Sequence, residues 1–368
     1  MSSPVYFASL RARDEKTSTV AKIQKLFDHA GFGAIIAKRD RTAIKLHFGE
    51  LGNDSFINPV FVRQVVEKVK GCGALPFLTD TNTLYQGSRS NAVDHITTAI
   101  LHGFDYAVVG APIIIADGLC GKNVAKVTIK RKHFKRVTIA GDIASADSMI
   151  VMTHFKAHIV SGFGGAIKNL AMGCAPPVGK KDQHQAHPYT LGERCIGCGK
   201  CAAVCPKSAI KIVKKKSSIN RSVCIGCFEC MTVCAERAID IDWETEIPTF
   251  IERLVEYASG AIKGKEKRVG YFNFLTRITP DCDCVPWSDA PIVPDIGILA
   301  SMDPVAIDSA SFDLVNNQSG FSDSLLRMHH KKGQDKFSGT WEETDGYQQI
   351  RYAEELGLGN SRYELITI

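Results

Sequence analysis

Apolar residues in this chain follow two rhythms that alternate along most of its length. Segments 4–10, 41–48, 74–80, 106–115, 149–156, 267–275 and 295–301 read as strands, and 362–368 adds a short one at the end. Between them, 17–30, 58–70, 91–103, 162–172, 248–262, 304–316 and 347–357 space apolar residues at i, i+3 and i+4, as in Val20, Ile23, Phe27 and in Val62, Val65, Val66, Val69. Strands alternating with helices predict an α/β fold, a largely parallel sheet with helices on both faces. Segment 125–140 alternates around a basic RKHFKR stretch and reads as a hairpin. The rhythm breaks in the middle of the chain, between polar or proline-bearing connections at 188–193 and 240–248. We therefore expect a discontinuous α/β domain, 1–187 and 242–368, interrupted by an inserted unit, 188–241.

Cysteine spacing identifies the insert. Of 13 cysteines, four form Cys195-x2-Cys198-x2-Cys201-x3-Cys205-Pro206, and 29 residues later the run recurs as Cys224-x2-Cys227-x2-Cys230-x3-Cys234. The flanks repeat as well, CIGCGKCAAVCPKSAIKI against CIGCFECMTVCAERAIDI. Zinc sites usually take well-separated C-x2-C pairs, so two such runs in register favour iron–sulfur clusters. Three thiolates two residues apart wrap one cubane face, and backbone N–H groups then point at the sulfurs. The duplication resembles a bacterial-type two-cluster (4Fe-4S) ferredoxin. That resemblance implies that the fourth cysteine of each run crosses to the other cluster. Cluster I would be held by Cys195, Cys198, Cys201 and Cys234, and cluster II by Cys224, Cys227, Cys230 and Cys205. The second run has Ala235 where the first has Pro206, which leaves the ligands untouched.

Composition narrows the class further. With 45% hydrophobic and 23% charged residues, the chain is of ordinary globular make-up. Its formal charge is +6. Segment 188–241 alone carries nine basic and four acidic residues, nearly the whole excess. Two clusters with their thiolates, each about −2, would offset that surplus locally, so nucleic acid is not an expected partner. The longest weakly polar stretch, 107–115, is far short of the roughly 20 residues of a membrane span, and no basic segment followed by an apolar run opens the chain. A cytoplasmic protein without membrane association is the expectation.

In parallel sheets, ligands bind beyond the carboxyl ends of the strands. Strand 41–48 ends in Lys45-Leu-His47-Phe-Gly-Glu50, and strand 149–156 in His154-Phe-Lys156-Ala-His158. Residues two apart share a strand face, so Lys45 pairs with His47, and His154 with Lys156 and His158. Strand 74–80 ends in Asp80-Thr-Asn82, and 295–301 is followed by Asp303-Pro304, which would bring four ionisable strand ends to one edge. The turn Gly162-Phe-Gly164-Gly165-Ala-Ile-Lys168 opens a helix whose free N–H groups would attract an anion. It is neither a Walker motif nor G-x-G-x-x-G. Lys45, Lys156, Lys168, Asp80, Asn82, Gly164 and Gly165 are thus candidate substrate contacts, and His47, His154 and His158 candidate proton donors. Cys282 and Cys284 form a C-x-C in a DCDCVPWSD loop that is open to a metal, a substrate or a structural role.

The run HFKAHIVSGFGGAIKNLAMGC, with KLHFGE upstream and PDIGILASMDPVAID downstream, resembles the iron–sulfur-centre proteins of the family called "domain of unknown function 362". The resemblance implies the interrupted α/β architecture and no settled reaction. A local likeness to the lactate racemase family, where a G-Y-S-G-G-x-K segment carries a nickel-pincer cofactor, is looser. Here Phe163 replaces tyrosine, Gly164 replaces serine, and one extra residue precedes Lys168. The leading expectation is an oxidoreductase that passes electrons through two 4Fe-4S clusters to a small anionic substrate in a Lys/His-lined crevice, with an external electron donor or acceptor protein as its partner. The alternatives are a non-catalytic electron-transfer or accessory protein, and an enzyme with an additional metallocofactor on Cys282/Cys284 or Lys168.

Overall fold

A computed structural model describes residues 2–85, 87–184, 187–242 and 246–368; part of the expected connection at 240–248 lies outside them. Eight strands form the main sheet: β1 (Ser3–Ser9), β2 (Arg41–Lys45), β3 (Leu75–Asp80), β4 (Ile113–Ile115), β5 (Ser148–His154), β6 (Val269–Leu275), β7 (Gly297–Ser301) and β8 (Tyr363–Thr367). Their order is β8-β1-β7-β6-β5-β2-β3-β4. Every pairing is parallel except those of β7, which runs against both β1 and β6. The expected α/β class is what the chain adopts. The reversal of β7 corrects one expectation. Asp303 lies at the opposite edge of the sheet from the ends of β2, β3 and β5. There it caps the Pro304–Asn316 helix, accepting from Val305 and Ala306 N–H, and binds Ser3 and Asn360.

Strand alternation explains the layering. In β5, Ile150 and Met152 face one core with Ile44, Phe272 and the helices Thr19–His29 and Pro59–Gly71. Met149 and Val151 face the other, with Tyr271 and the helices Ala166–Cys174, Glu246–Ala261 and Pro304–Asn316. All seven β5 residues are buried, as a strand covered on both faces requires. Helix starts follow local chemistry: Ser18, Asn58 and Asn91 each accept a backbone N–H from their own first turn.

Two expected elements change. Segment 106–115 is not one strand: Asp105 caps a short helix, Tyr106–Val109, which Gly110 ends at φ 76°, leaving only β4 extended. The expected helix 162–172 begins later, because Gly162–Gly164 pairs antiparallel with Lys156–His158 before the helix starts at Ala166. The expected hairpin forms from Val124–Thr128 and Arg136–Ala140.

Between 188 and 241 no strand joins the main sheet. Tyr189–Thr190 pairs with Ile239–Asp240, and Ile210–Val213 with Lys216–Ile219. Each cysteine run carries one short helix, Lys200–Ala203 and Glu229–Thr232. The residue before each helix is left-handed: Gly199 at φ 81° in the first run, but Phe228 at φ 64° in the second. A side chain there costs about 1 kcal/mol, so the second run stores strain where the first has none. Among the described residues no helix is long and apolar enough to cross a membrane.

Candidate active site

β2 continues rightward in the sheet to β3, whereas β5, its neighbour, continues leftward to β6. The carboxyl ends of β2 and β5 therefore flank a topological switch point, where chain connections diverge and leave a crevice. A cavity of about 1210 Å³, its open mouth included, lies there. His47, Asp80, His154, Lys156, His158, Gly164, Gly165 and Lys168 line it, as do Cys282, Cys284 and, from the inserted segment, Cys227, Phe228, Glu229 and Thr232. Lys45 and Asn82 are not on its wall.

Two buried ion networks explain which side chains are free to act. In the first, Lys45 Nζ meets Asp80 Oδ1 at 3.0 Å, Asn169 Oδ1 at 2.7 Å and Leu46 O at 3.0 Å. All three of its protons are used, so Lys45 anchors the strand end and does not hold a substrate anion. Asp80 also meets Arg89 Nη1 at 3.5 Å, and Arg89 Nε meets Glu50 Oε2 at 3.1 Å. Burial pulls the Asp80 carboxyl up, but Lys45, His47, His95 and Arg89 outweigh it and hold the group well below the usual carboxylate range. Asn82 is likewise committed, donating to Asp117 Oδ1 at 3.1 Å and to Gly118 O at 2.8 Å.

Asp283 centres the second network. It meets His154 Nδ1 at 2.8 Å and Lys156 Nζ at 3.0 Å and accepts from Ser55 Oγ at 3.0 Å, all in full burial. His154 Nε2 faces the carbonyls of Thr276 and Arg277 at 2.9 and 3.1 Å. Both ring nitrogens thus face protein oxygens, which makes His154 a positioning residue rather than a proton donor to a substrate. Lys156 also donates to His154 O at 2.8 Å.

His47 and His158 are different. His47 Nδ1 accepts from Gly49 N–H at 3.0 Å, and His158 Nδ1 accepts from Val160 and Ser161 N–H at 3.2 and 3.1 Å. Nδ1 as acceptor fixes the tautomer, leaving Nε2–H as each ring's donor. Burial, with Arg89 near His47 and Lys168 near His158, pushes both well below the ordinary imidazole value. At neutral pH they are neutral donors, a form that polarises an oxygen without giving up a full proton. Burial raises two wall carboxyls towards neutrality, Glu229 up to about 7 and Asp281 up to about 6.

The glycine turn also departs from expectation. The N–H groups of Ala166 and Ile167 donate to Asp308, at 2.7 Å to Oδ1 and 2.9 Å to Oδ2. A carboxylate of the chain itself fills the anion position at this helix start, and Asn273 Nδ2 holds it at 2.8 Å. Gly165 is required by this cap, since a Cβ there would stand 2.4 Å from Asp308 Oδ1. Gly165→Ala is expected to lower the unfolding free energy by about 1–3 kcal/mol, the scale of overpacking. Chemical unfolding measures it, and wild-type stability would show that the cap yields freely. Gly164 has another use: a Cβ there would touch the stems of Lys156 and Lys168 at 3.5 and 3.6 Å.

Two smaller cavities lie in the inserted segment, each about 330 Å³ with its open side. One is lined by Cys195, Cys198, Cys201 and Cys234, the other by Cys224, Cys227, Cys230 and Cys205. The fourth cysteine of each run faces the other run's cavity. Ala209 N–H points to Cys205 Sγ and Ala238 N–H to Cys234 Sγ, both at 3.2 Å, while Ser217 N–H reaches Cys195 Sγ at 3.3 Å and Gly226 N–H reaches Cys224 Sγ at 3.4 Å. Among the described residues no three His, Cys, Asp or Glu side chains close on a single metal ion. The second cavity shares Cys227, Phe228 and Glu229 with the large crevice. Phe228 packs there against the rings of His184 and Phe250, at 5.3 and 6.1 Å.

Sequence patterns could not single out Arg89, Asp308 or Lys180, which are isolated charges in loops or helices and carry no periodic signal; Glu50 and Asp283 lie inside the strand-end and C-x-C runs, where nothing in the pattern marks their roles. Lys180 Nζ donates to Thr81 Oγ1, Asn82 O and Ala175 O at 2.6, 2.8 and 2.6 Å, and burial lowers it to about 8.

No curated protein matches this chain. Among solved structures, it is similar to the lactate racemase apoprotein from Thermoanaerobacterium thermosaccharolyticum at 11% identity and a TM-score of 0.37; the match covers 69% of this chain and 49% of that one. The chain thus spans about half of that protein's length. The profile described as "Domain of unknown function (DUF362)" matches residues 42–313, well over half of the sequence, and the chain belongs to that family.

Proposed function

We propose that this protein is an iron–sulfur oxidoreductase whose crevice reduces or oxidises a small anion. The observation that carries the reading is the pair of four-cysteine cavities, one of which shares a wall with the crevice. The donor set suits cubane clusters: four thiols per cavity, with backbone N–H groups aimed at sulfur. When bound, the two clusters would supply one electron each.

The chain's own residues would do the rest. Lys168 and Lys156 make the positive side of the crevice and hold a carboxylate or phosphate. His47 and His158 donate through Nε2–H to the oxygen on which charge develops. Phe228 and Phe250 keep water from the wall between crevice and cavity. A protein that only docked a partner would have no use for a crevice lined in this way.

Anaerobic purification with iron and sulfide assay tests the reading. About eight irons per chain are expected, and colourless or zinc-bearing protein would overturn it. Chemistry in the crevice has its own test. Dithionite-reduced protein is mixed with a panel of small 2-oxo and 2-enoic acids, and recovery of the visible absorption is followed. For the acid that reoxidises the protein, His158→Gln is expected to slow recovery about 100-fold or more. An unchanged rate would remove His158 from the mechanism.

A further inference from the structure

The Cys282–Asp283–Cys284 turn is fixed at each of its residues. Cys282 O accepts from Val285 N–H at 3.1 Å, Asp283 O from Glu50 N–H at 2.9 Å, and Cys284 O from Tyr85 Oη–H at 2.9 Å. Asp283 turns its carboxylate into the His154–Lys156 network, while both thiols line the crevice. Lys168 Nζ stands 3.6 Å from Cys282 Sγ.

We propose that Cys282 and Cys284 form a redox-active dithiol in the crevice, cycling between a thiolate–thiol pair and an intramolecular disulfide. Two features set it apart from a structural pair. The two thiols stand two residues apart on a turn whose carbonyls are all held, and both open on the same crevice. The cation of Lys168 stabilises the attacking thiolate, as an adjacent Lys does for reactive cysteines. Oxidation by a small-molecule disulfide proceeds in two exchanges. The Cys282 thiolate attacks a reagent sulfur, the reagent S–S bond breaks, and one reagent thiolate leaves. Cys284 then gives its proton to that thiolate and attacks Cys282 Sγ, forming the Cys282–Cys284 bond and releasing the second reagent sulfur. The pair loses two electrons and the reagent gains them. In reverse, two electrons and one proton restore the Cys282 thiolate beside Lys168 and the Cys284 thiol. This rests on the proposed oxidoreductase reading for its purpose, since a two-electron acceptor beside the Cys227 wall matches two one-electron donors. The pair's own chemistry stands apart from it.

The test uses the intact protein held anaerobically in buffers of reduced and oxidised glutathione, trapped by alkylation and mapped by peptide mass. The expected result is a Cys282–Cys284 crosslink that appears in a single two-electron transition. Cys284→Ser leaves instead a mixed disulfide on Cys282. Lys168→Met lowers the reduced-to-oxidised ratio at a fixed buffer about tenfold, the effect of one unit of thiolate stabilisation. Two free thiols at every buffer ratio, or crosslinks only to other cysteines, would overturn the proposal. Iron content measured on the same sample reports separately on the cluster reading, so either can fail alone.

Discussion

Replacing Cys205 with serine is expected to empty the cavity that Cys224, Cys227 and Cys230 line, and to leave the cavity nearest to it in sequence intact. Cys205 Sγ faces the second cavity and Cys234 the first. On the proposed two-cluster reading, a thiolate ligand lost to serine would remove or degrade one cubane, and iron would fall from about eight to about four per chain. Cys205→Ser and Cys224→Ser should then give the same residual EPR spectrum, and Cys234→Ser should share a different one with Cys195→Ser. If Cys205→Ser instead matches Cys195→Ser, each run binds its own cluster and the crossed arrangement is wrong.

Asp283→Ala is expected to be the most destabilising single change in the α/β body. It leaves His154 and Lys156 buried without their shared carboxylate, and breaking such a pair costs about 3–5 kcal/mol. The pH dependence has a definite sign. Burial pulls the Asp283 carboxyl up, but His154 and Lys156 outweigh it and hold the group well below its usual value. A depressed carboxylate stabilises the fold fully above its unfolded value of about 3.9 and loses that contribution as pH falls through the folded one. Lys156 is the mirror case. Burial lowers it, but Asp283 and Cys282 raise it further, so its contribution is present below the unfolded value of about 10.4 and lost above the raised one. The Asp283 and Lys156 contributions to the stability gap between wild type and Asp283→Ala should therefore be lost below about pH 4 and above about pH 10 respectively. Denaturant unfolding at acid, neutral and alkaline pH measures it, and a gap that stayed undiminished far below pH 4 and far above pH 10 would exclude the ion network as its source.

The sequence revealed which residues approach the crevice better than what they do there. Period-two alternation placed Lys45 with His47 and His154 with Lys156, because alternation is a property of the strand itself. It could not show that Asp80 and Asn169 consume the Lys45 ammonium, since those partners lie 35 and 124 residues away. Nor does alternation carry direction. The apolar run of β7 reads the same parallel or antiparallel, and Asp303 was assigned to the wrong edge for that reason alone. In 106–115 the signals were present, Asp105 as a cap and Gly110 as a stop, but the long apolar run masked them. At the glycine turn the motif was legible and its ligand was not, because Asp308 arrives from a helix 142 residues on.

The wall made by Cys227, Phe228 and Glu229 belongs to two chambers at once. Anything that fills the larger chamber expels solvent from one side of the smaller, and so alters the dielectric that its contents experience. Thermodynamic reciprocity then applies: a molecule that binds one oxidation state more tightly must shift the electron affinity next door by the same factor. Occupancy and driving force would thus be coupled through three side chains, with no moving part between them.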